Sequence, residues 1–139
     1  MKLLLMCPLF LAWLWINPTS LQAQQKGAVA VIYYWKAKPD KLPEYNRYIR
    51  EVAAPIDAEA QRKGAFISVT TFVSQKEDGT WTHMRVFVCK DRAQLDQLAQ
   101  ALDAAGARLE PDEAKRKARA EFAATLRDRV SQEVLEILN

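Results

Sequence analysis

Few residues in this chain have the type and spacing to do chemistry. His83 is the one histidine, so proton transfer by an imidazole, or metal or haem ligation by one, has a single candidate. Arg85, two residues on, could grip a ligand carboxylate with its guanidinium fork. Around them stand Tyr33, Trp35, Phe72 and Trp81, with Ser68 and Thr70 as small hydroxyl groups. Rings interspersed with a few hydrogen-bonding groups suit the wall of a ligand cavity, where apolar surface gives affinity and polar groups fix orientation. They also suit an interface, where aromatic residues and Arg are enriched. The plain alternatives are a strand histidine hydrogen-bonded within the fold, an arginine in an ion pair, and rings in ordinary packing.

Other chemistries lack their residues. No Gly-rich phosphate loop, nucleophile elbow or metal-spaced His/Cys/Asp/Glu set is present, so the residues imply neither a metal nor another cofactor. Cys89 has no second histidine to serve as its base and reads as a small buried residue. Lys115, Arg116, Lys117 and Arg119 alternate with Glu113 and Glu121 and read as a solvated helix face. Twenty Lys and Arg against 17 Asp and Glu give a net charge of +3, too small an excess to argue for nucleic acid. Half the residues are hydrophobic and 27% are charged, a globular composition.

The chain begins with an address. Lys2 precedes an apolar run from Leu3 to Ile16, broken only by Pro8. The polar Asn17-Pro18-Thr19-Ser20 and then Leu21-Gln22-Ala23 follow. This pattern predicts a secretory signal peptide over 1–23, cleaved after Ala23. The run is short for a membrane span, which takes about 20 apolar residues; the alternative is an uncleaved anchor. A lipoprotein reading through Cys7 fails because the apolar stretch mostly follows that cysteine. Cleavage leaves residues 24–139 as one domain, periplasmic or secreted, without membrane contact and with Cys89 as its lone cysteine. It therefore has no internal disulfide. So small a domain buries only about two thirds of its surface on folding, and oligomerisation would help it.

The elements follow from punctuation and period. Gly27, Gly64, Gly79 and Gly106 are read as boundaries. Ala28 to Lys36 is apolar on both faces and predicts a strand buried on both sides. Asp40 is expected to cap a helix whose stripe is Leu42, Tyr45, Ile49, Val52 and Ile56, kinked or split at Pro55 and closed by Gly64. Ala65–Ser74 and Trp81–Cys89 flank an Asp-Gly turn and predict a hairpin. Asp91 caps a helix with the stripe Leu95, Leu98, Leu102, with Gln94 placed to reach back. Pro111 opens another, with the stripe Ala114, Ala118, Phe122, Leu126, Val130. Residues 131–138 fit helix or strand equally.

The order is βαββαβ with an extra helical segment before the last strand, an α+β, ferredoxin-like order. With both helices on one face, the other sheet face is bare and needs a partner. Alternation separates the faces. The aliphatic sets, such as Thr82, Met84, Val86 and Val88, are expected beneath the helices. The mixed set, Tyr33, Trp35, Ser68, Thr70, Phe72, Trp81, His83 and Arg85, is expected on the bare face.

Two stretches carry a family resemblance. Val31-Ile32-Tyr33-Tyr34-Trp35-Lys36-Ala37-Lys38-Pro39-Asp40-Lys41-Leu42-Pro43-Glu44-Tyr45 is a strand running into a Glu-Tyr-bearing helix. Leu126-Arg127-Asp128-Arg129-Val130-Ser131-Gln132-Glu133-Val134-Leu135-Glu136-Ile137 closes the chain. Together the chain resembles the dimeric α+β-barrel superfamily, which includes NIPSNAP-like proteins and antibiotic-biosynthesis-type monooxygenases. The resemblance covers about 28–138. It implies two sheets facing across a two-fold axis, hence a homodimer, and tips the tail towards a strand. It carries over no catalytic residue, and a shared fold does not bring shared chemistry. Three functions fit: a secreted or periplasmic homodimeric barrel binding a small apolar or anionic molecule near His83 and Arg85; a cofactor-independent monooxygenase, isomerase or haem-handling enzyme using His83; or a structural dimer with a filled barrel.

Overall fold

A computed structural model describes residues 27–76 and 79–138. The expected leader, 1–23, lies outside them. The domain is one four-stranded sheet, in the order β2-β3-β1-β4, with every neighbouring pair antiparallel. Strand β1 (Val29–Ala37) is central, which its two apolar faces require. It is flanked by β3 (His83–Cys89) and β4 (Arg127–Glu136), and β2 (Ser68–Val73) completes the hairpin with β3. This is the ferredoxin-like arrangement, with the helices on one side. No helix among the described residues is long and apolar enough to cross a membrane.

The long helical arm after β1 is split as Pro55 demands. Helix α1 (Leu42–Tyr48) runs into a π-helical turn (Ile49–Ala53) and then α2 (Ala54–Arg62). Proline has no N–H and its ring crowds the preceding turn. The wider turn, in which the Ala54 N–H reaches back to the Ile49 carbonyl, takes up the misfit without ending the rod. Gly64, at φ +78°, closes α2, with its N–H on Gln61 and the Ala65 N–H on Ala60. Asp40 does not cap α1. It takes φ +60° in a turn closed by the Lys41 N–H on the Lys38 carbonyl, and Lys41 occupies the cap position with no side-chain bond. Asp tolerates that left-handed geometry better than most residues, and here the turn outcompetes the cap.

Asp91 caps α3 (Arg92–Asp96), accepting from the Gln94 N–H at 2.8 Å, while Gln94 accepts from the Lys90 N–H. Helix α4 (Leu98–Leu109) follows after Gln97. Gly106 is no boundary. It lies inside α4, buried, with Arg119 and Ile56 above it. An added Cβ would meet those side chains at 3.6 and 3.9 Å, ordinary contact. Gly106→Ala is therefore expected to stabilise the fold by about 0.5–1 kcal/mol through helix propensity, read as a raised urea midpoint. An unchanged or lowered midpoint would contradict this reading of the packing.

Helix α5 (Glu113–Leu126) is capped by Asp112, next to the Pro111 that marked its start. It ends at Leu126, so Val130 is not part of its stripe; its buried residues are Ala123 and Leu126, and Phe122 is exposed. The tail is strand, and it starts at Arg127 because β1 offers partners along its whole length, from Ala37 opposite Arg127 to Val29 opposite Glu136. The register slips between Tyr34 and Trp35, leaving Val130 as the extra residue of a bulge.

The core lies between helices and sheet. Val29, Val31, Phe87 and Cys89 meet Ala60, Leu98 and Ala105, with Phe66 against Phe87 edge-on at 5.1 Å. A second cluster joins Ala37, Tyr45 and Leu126. Cross-strand pairs place Val31 with Phe87, Tyr33 with Arg85 and Trp35 with His83, so all six lie on the helix side. This reverses the face expected for β1 and β3. The mixed set turns inward because the helices carry polar partners for it, and the aliphatic set is left bare. For β2 the expectation agrees: Ser68, Thr70 and Phe72 pair with Val88, Val86 and Met84 on the open side.

Candidate functional site

The eight residues singled out in the sequence do not line one surface. Tyr33, Trp35, His83 and Arg85 lie under the helices; Ser68, Thr70 and Phe72 lie on the open sheet face. Trp81 precedes β3 and packs on Tyr34, ring centroids 5.9 Å apart, at the open side. The four helix-side residues are brought together with partners that the sequence reading did not name.

His83 is fully buried, with its ring 4.2 Å from that of Tyr45. Its Nε2 lies 2.8 Å from Asn46 Oδ1 and its Nδ1 lies 3.0 Å from Thr82 Oγ1. A carboxamide oxygen only accepts, so Nε2 carries the proton. Nδ1 is then bare and accepts from the Thr82 hydroxyl, which lies closer to it than to its other acceptor, the Trp35 carbonyl at 3.3 Å, and itself accepts from the Ala37 N–H at 2.8 Å. Burial pushes the imidazole pKa down to about 4, helped by the positive charges of Arg127 and Arg85. At neutral pH His83 is an uncharged imidazole with both nitrogens engaged. A haem iron would have to displace one of these bonds inside the core.

Arg85 is spent on Asp57. Its Nη2 donates to Asp57 Oδ2, and its Nε donates to Thr71 Oγ1 at 3.2 Å. Both members of the ion pair are almost wholly buried. Burial raises the Asp57 pKa, and Arg85 pulls against that. Asp57 is one position off the apolar stripe of its helix, between Ile56 and Ala58, and nothing local marks it as buried.

Beside His83 sits a ring cluster roofed by Arg127. Its guanidinium carbon lies 3.7 Å from the Trp35 ring centroid, and Nη1 donates to the Tyr45 hydroxyl at 2.6 Å. Arg129 lies 4.9 Å from the Tyr33 centroid and 5.9 Å from that of Trp35. Burial raises the pKa of both Tyr45 and Tyr33. The available signal is Arg-Asp-Arg at strand period, which puts both arginines on one side; the helical spacing of Phe122, Leu126 and Val130 across the same stretch hides it. Cys89 is buried and its thiol pKa is raised, first by burial and then by Asp91, so it is poorly set up as a nucleophile. Among the described residues no group of three His, Cys, Asp or Glu could hold a metal ion.

A cleft of about 810 Å³ opens at this end of the sheet, between the β1–α1 turn and the end of the hairpin. Asn46 and Thr82, the two partners of His83, both line it. Lys36, Lys38 and Asp128 border it, with Lys38 and Asp128 3.7 Å apart, and Leu42 and Val73 give it apolar wall. His83 has no surface of its own there. A molecule in the cleft would reach the imidazole only through the Asn46 carboxamide or the Thr82 hydroxyl.

No family model and no curated protein matches the chain. Solved structures do. HapK from Hahella chejuensis superposes with a TM-score of 0.55 at 11% identity, over 79% of this chain and 92% of that one. An ethyl tert-butyl ether d (ethd) family protein from Bacillus halodurans gives 0.54 at 13%, over 81% and 100%. SnoaB from Streptomyces nogalater, a cofactor-independent oxygenase, gives 0.50 at 12%, over 82% and 96%. At such identities the likeness is one of fold alone: the chain has a ferredoxin-like α+β fold.

Proposed function

We propose that this chain is an exported homodimer that binds a small polar or anionic molecule in the Asn46–Thr82 cleft of each protomer. One observation carries the binding role: the cleft is concave, has a size within the roughly 300–1,000 Å³ usual for ligand sites, and places two polar groups on its wall that a buried, neutral histidine holds in position. Three lysines on its wall, Lys36, Lys38 and Lys76, favour the anionic over the apolar of the two ligand classes considered from sequence. Native mass spectrometry of gently purified protein tests it. The expected result is a small-molecule adduct, weakened or lost in Leu42→Trp, which narrows the cleft. An adduct undiminished in Leu42→Trp would place the ligand elsewhere.

The dimer reading rests on the open sheet face, where Ile32, Tyr34, Met84 and Val86 stand with no helix over them. Apolar surface of that kind is costly to leave in water. Val86, opposite both Ile32 and Thr70, is at its centre. Val86→Glu is expected to give a folded monomer by light scattering, with an unchanged circular dichroism spectrum. A Val86→Glu dimer as tight as the parent would mean that the copies meet elsewhere, and a monomeric parent would end the reading.

Export rests on the leader-like 1–23, and predicts that N-terminal sequencing of envelope or secreted protein starts at Gln24. Material retained in the cytoplasm and starting at Met1 would contradict it.

A second reading, a cofactor-independent oxygenase or isomerase, has one observation in its favour. The bare Nδ1 of His83 faces the Thr82 hydroxyl, so a proton can pass from the cleft to a neutral imidazole through one group. The oxygenase likeness in fold agrees with this reading without singling it out. Turnover that is unchanged in His83→Gln would remove it.

A further inference from the structure

We propose that Arg127 and Arg129 form a second site, separate from the cleft, for the carboxylate of a small organic acid. The two arginines sit on the helix side of β4, opposite Ala37 and Trp35. Their guanidinium groups share the Trp35 ring, at 3.7 and 5.9 Å from its centroid. Two positive charges on one ring make a local positive potential that an anion beside them would offset. Among the described residues neither has a carboxylate within 4.0 Å, whereas Arg62, Arg85, Arg92 and Arg108 each have one.

Among the described residues the neighbouring acids are accounted for. Asp57 is held by Arg85, and Asp128 lines the cleft near Lys38. Glu133 pairs with Ile32 on the open side, and Glu136 is opposite Val29 at the far end of the strand. What the protein gives the two arginines is neutral: the Tyr45 hydroxyl for Arg127 and the Gln132 carboxamide for Arg129. Stacking on rings holds a guanidinium in place while its N–H edge stays available, the arrangement that suits bidentate carboxylate recognition.

Apolar surface lies beside the charge. Val134, opposite the buried Val31 on the same side of β4, is 39% exposed. Phe122, whose ring is 6.4 Å from Tyr48 in the same cluster, is 43% exposed. A carboxylate carried on an aliphatic or aromatic body fits this pairing better than an inorganic anion. The ligand class is therefore a small monocarboxylic acid with an apolar body.

Calorimetric titration of the full chain with sodium octanoate tests the site, with 1-octanol and inorganic phosphate as comparisons. Octanoate is expected to bind saturably and more tightly than either. In Arg129→Gln its affinity should fall about tenfold, the loss expected from one charge-assisted pair, and Arg129→Lys should recover part of it. Arg129 is exposed at the strand surface, so the variant should keep its circular dichroism spectrum and its oligomeric state. Octanoate affinity unmoved in Arg129→Gln overturns the proposal, as does octanol binding equally well or no saturation up to about 10 mM, a Kd too weak for a built site. Leu42→Trp separates the two sites. If it abolishes octanoate binding and Arg129→Gln does not, the acid sits in the cleft and this inference fails while the cleft stands; if octanoate follows Arg129 and no adduct depends on Leu42, the cleft fails and this site stands.

Discussion

Replacing Asp57 by Ala is expected to cost about 3–5 kcal/mol of folding free energy, the largest loss from any single polar substitution in this domain. The reason lies in what remains. Arg85 would keep its charge under the helices, against the Phe87 ring at 5.2 Å, with only Thr71 as a hydrogen-bond partner. A guanidinium cannot escape by losing its proton, so the penalty is met in full unless the side chain swings out and leaves a void. Asp57→Asn keeps an acceptor and should cost less than Ala. The double variant Asp57→Leu with Arg85→Met removes both charges and refills the space with carbon, and should recover most of the loss, since a buried ion pair is a costly substitute for apolar packing. Urea unfolding of the four proteins reads this directly. A single variant within about 1 kcal/mol of the parent would mean that Arg85 already reaches water. The same logic removes Arg85 as a ligand anchor: an anion would have to compete with a carboxylate on the same protein.

That outcome shows what the sequence could and could not say. The strand–helix order, the Gly64 stop, the Asp91 cap and the interruption at Pro55 were legible because each is local: φ, a missing N–H or a short side chain decides it within one turn. The central place of β1 was legible from its two apolar faces. Which face the helices cover was not. His83, Arg85, Tyr33 and Trp35 resemble a ligand-facing set only while their partners are unknown. Asn46 and Asp57, 37 and 28 residues away along the chain, turn the same residues into satisfied interior. Alternation gives two faces without saying which is inside when both are half apolar. The limits of the last strand were missed for a related reason. Arg127, Asp128 and Arg129 have weak strand preference, and tertiary pairing with β1 overrides it.

Stability is expected to fall as the pH drops from about 6.5 to about 4, by about 3 kcal/mol in the limit, because of His83 alone. In the unfolded chain the imidazole takes up a proton near 6.5. In the native state it resists until about 4, since burial and the charges of Arg127 and Arg85 oppose a third positive group. Between these values the unfolded state binds more protons, so acid favours it; above 6.5 the imidazole is neutral in both states and the contribution is flat. Asp57 works in the opposite direction. Its raised pKa means the native state takes up a proton before the unfolded one does as the pH falls towards the ordinary carboxylate range, which partly offsets His83 at the acid end. Glu44 and Glu59, lowered by their lysine and arginine partners, act with His83 but only at lower pH still. His83→Gln should be less stable than the parent at pH 7, having lost the fitted bonds to Asn46 and Thr82, yet nearly flat in stability from pH 6.5 to 5. Because the chain has one histidine, its ring proton resonance can be followed without assignment. A native resonance that titrates near 6.5 would overturn the account. So would a parent as flat as the variant, and either result would also free His83 to act as an acid at neutral pH. With the pKa near 4, the imidazole stays uncharged between pH 5 and 7, so a change in ligand affinity over that range would not come from His83.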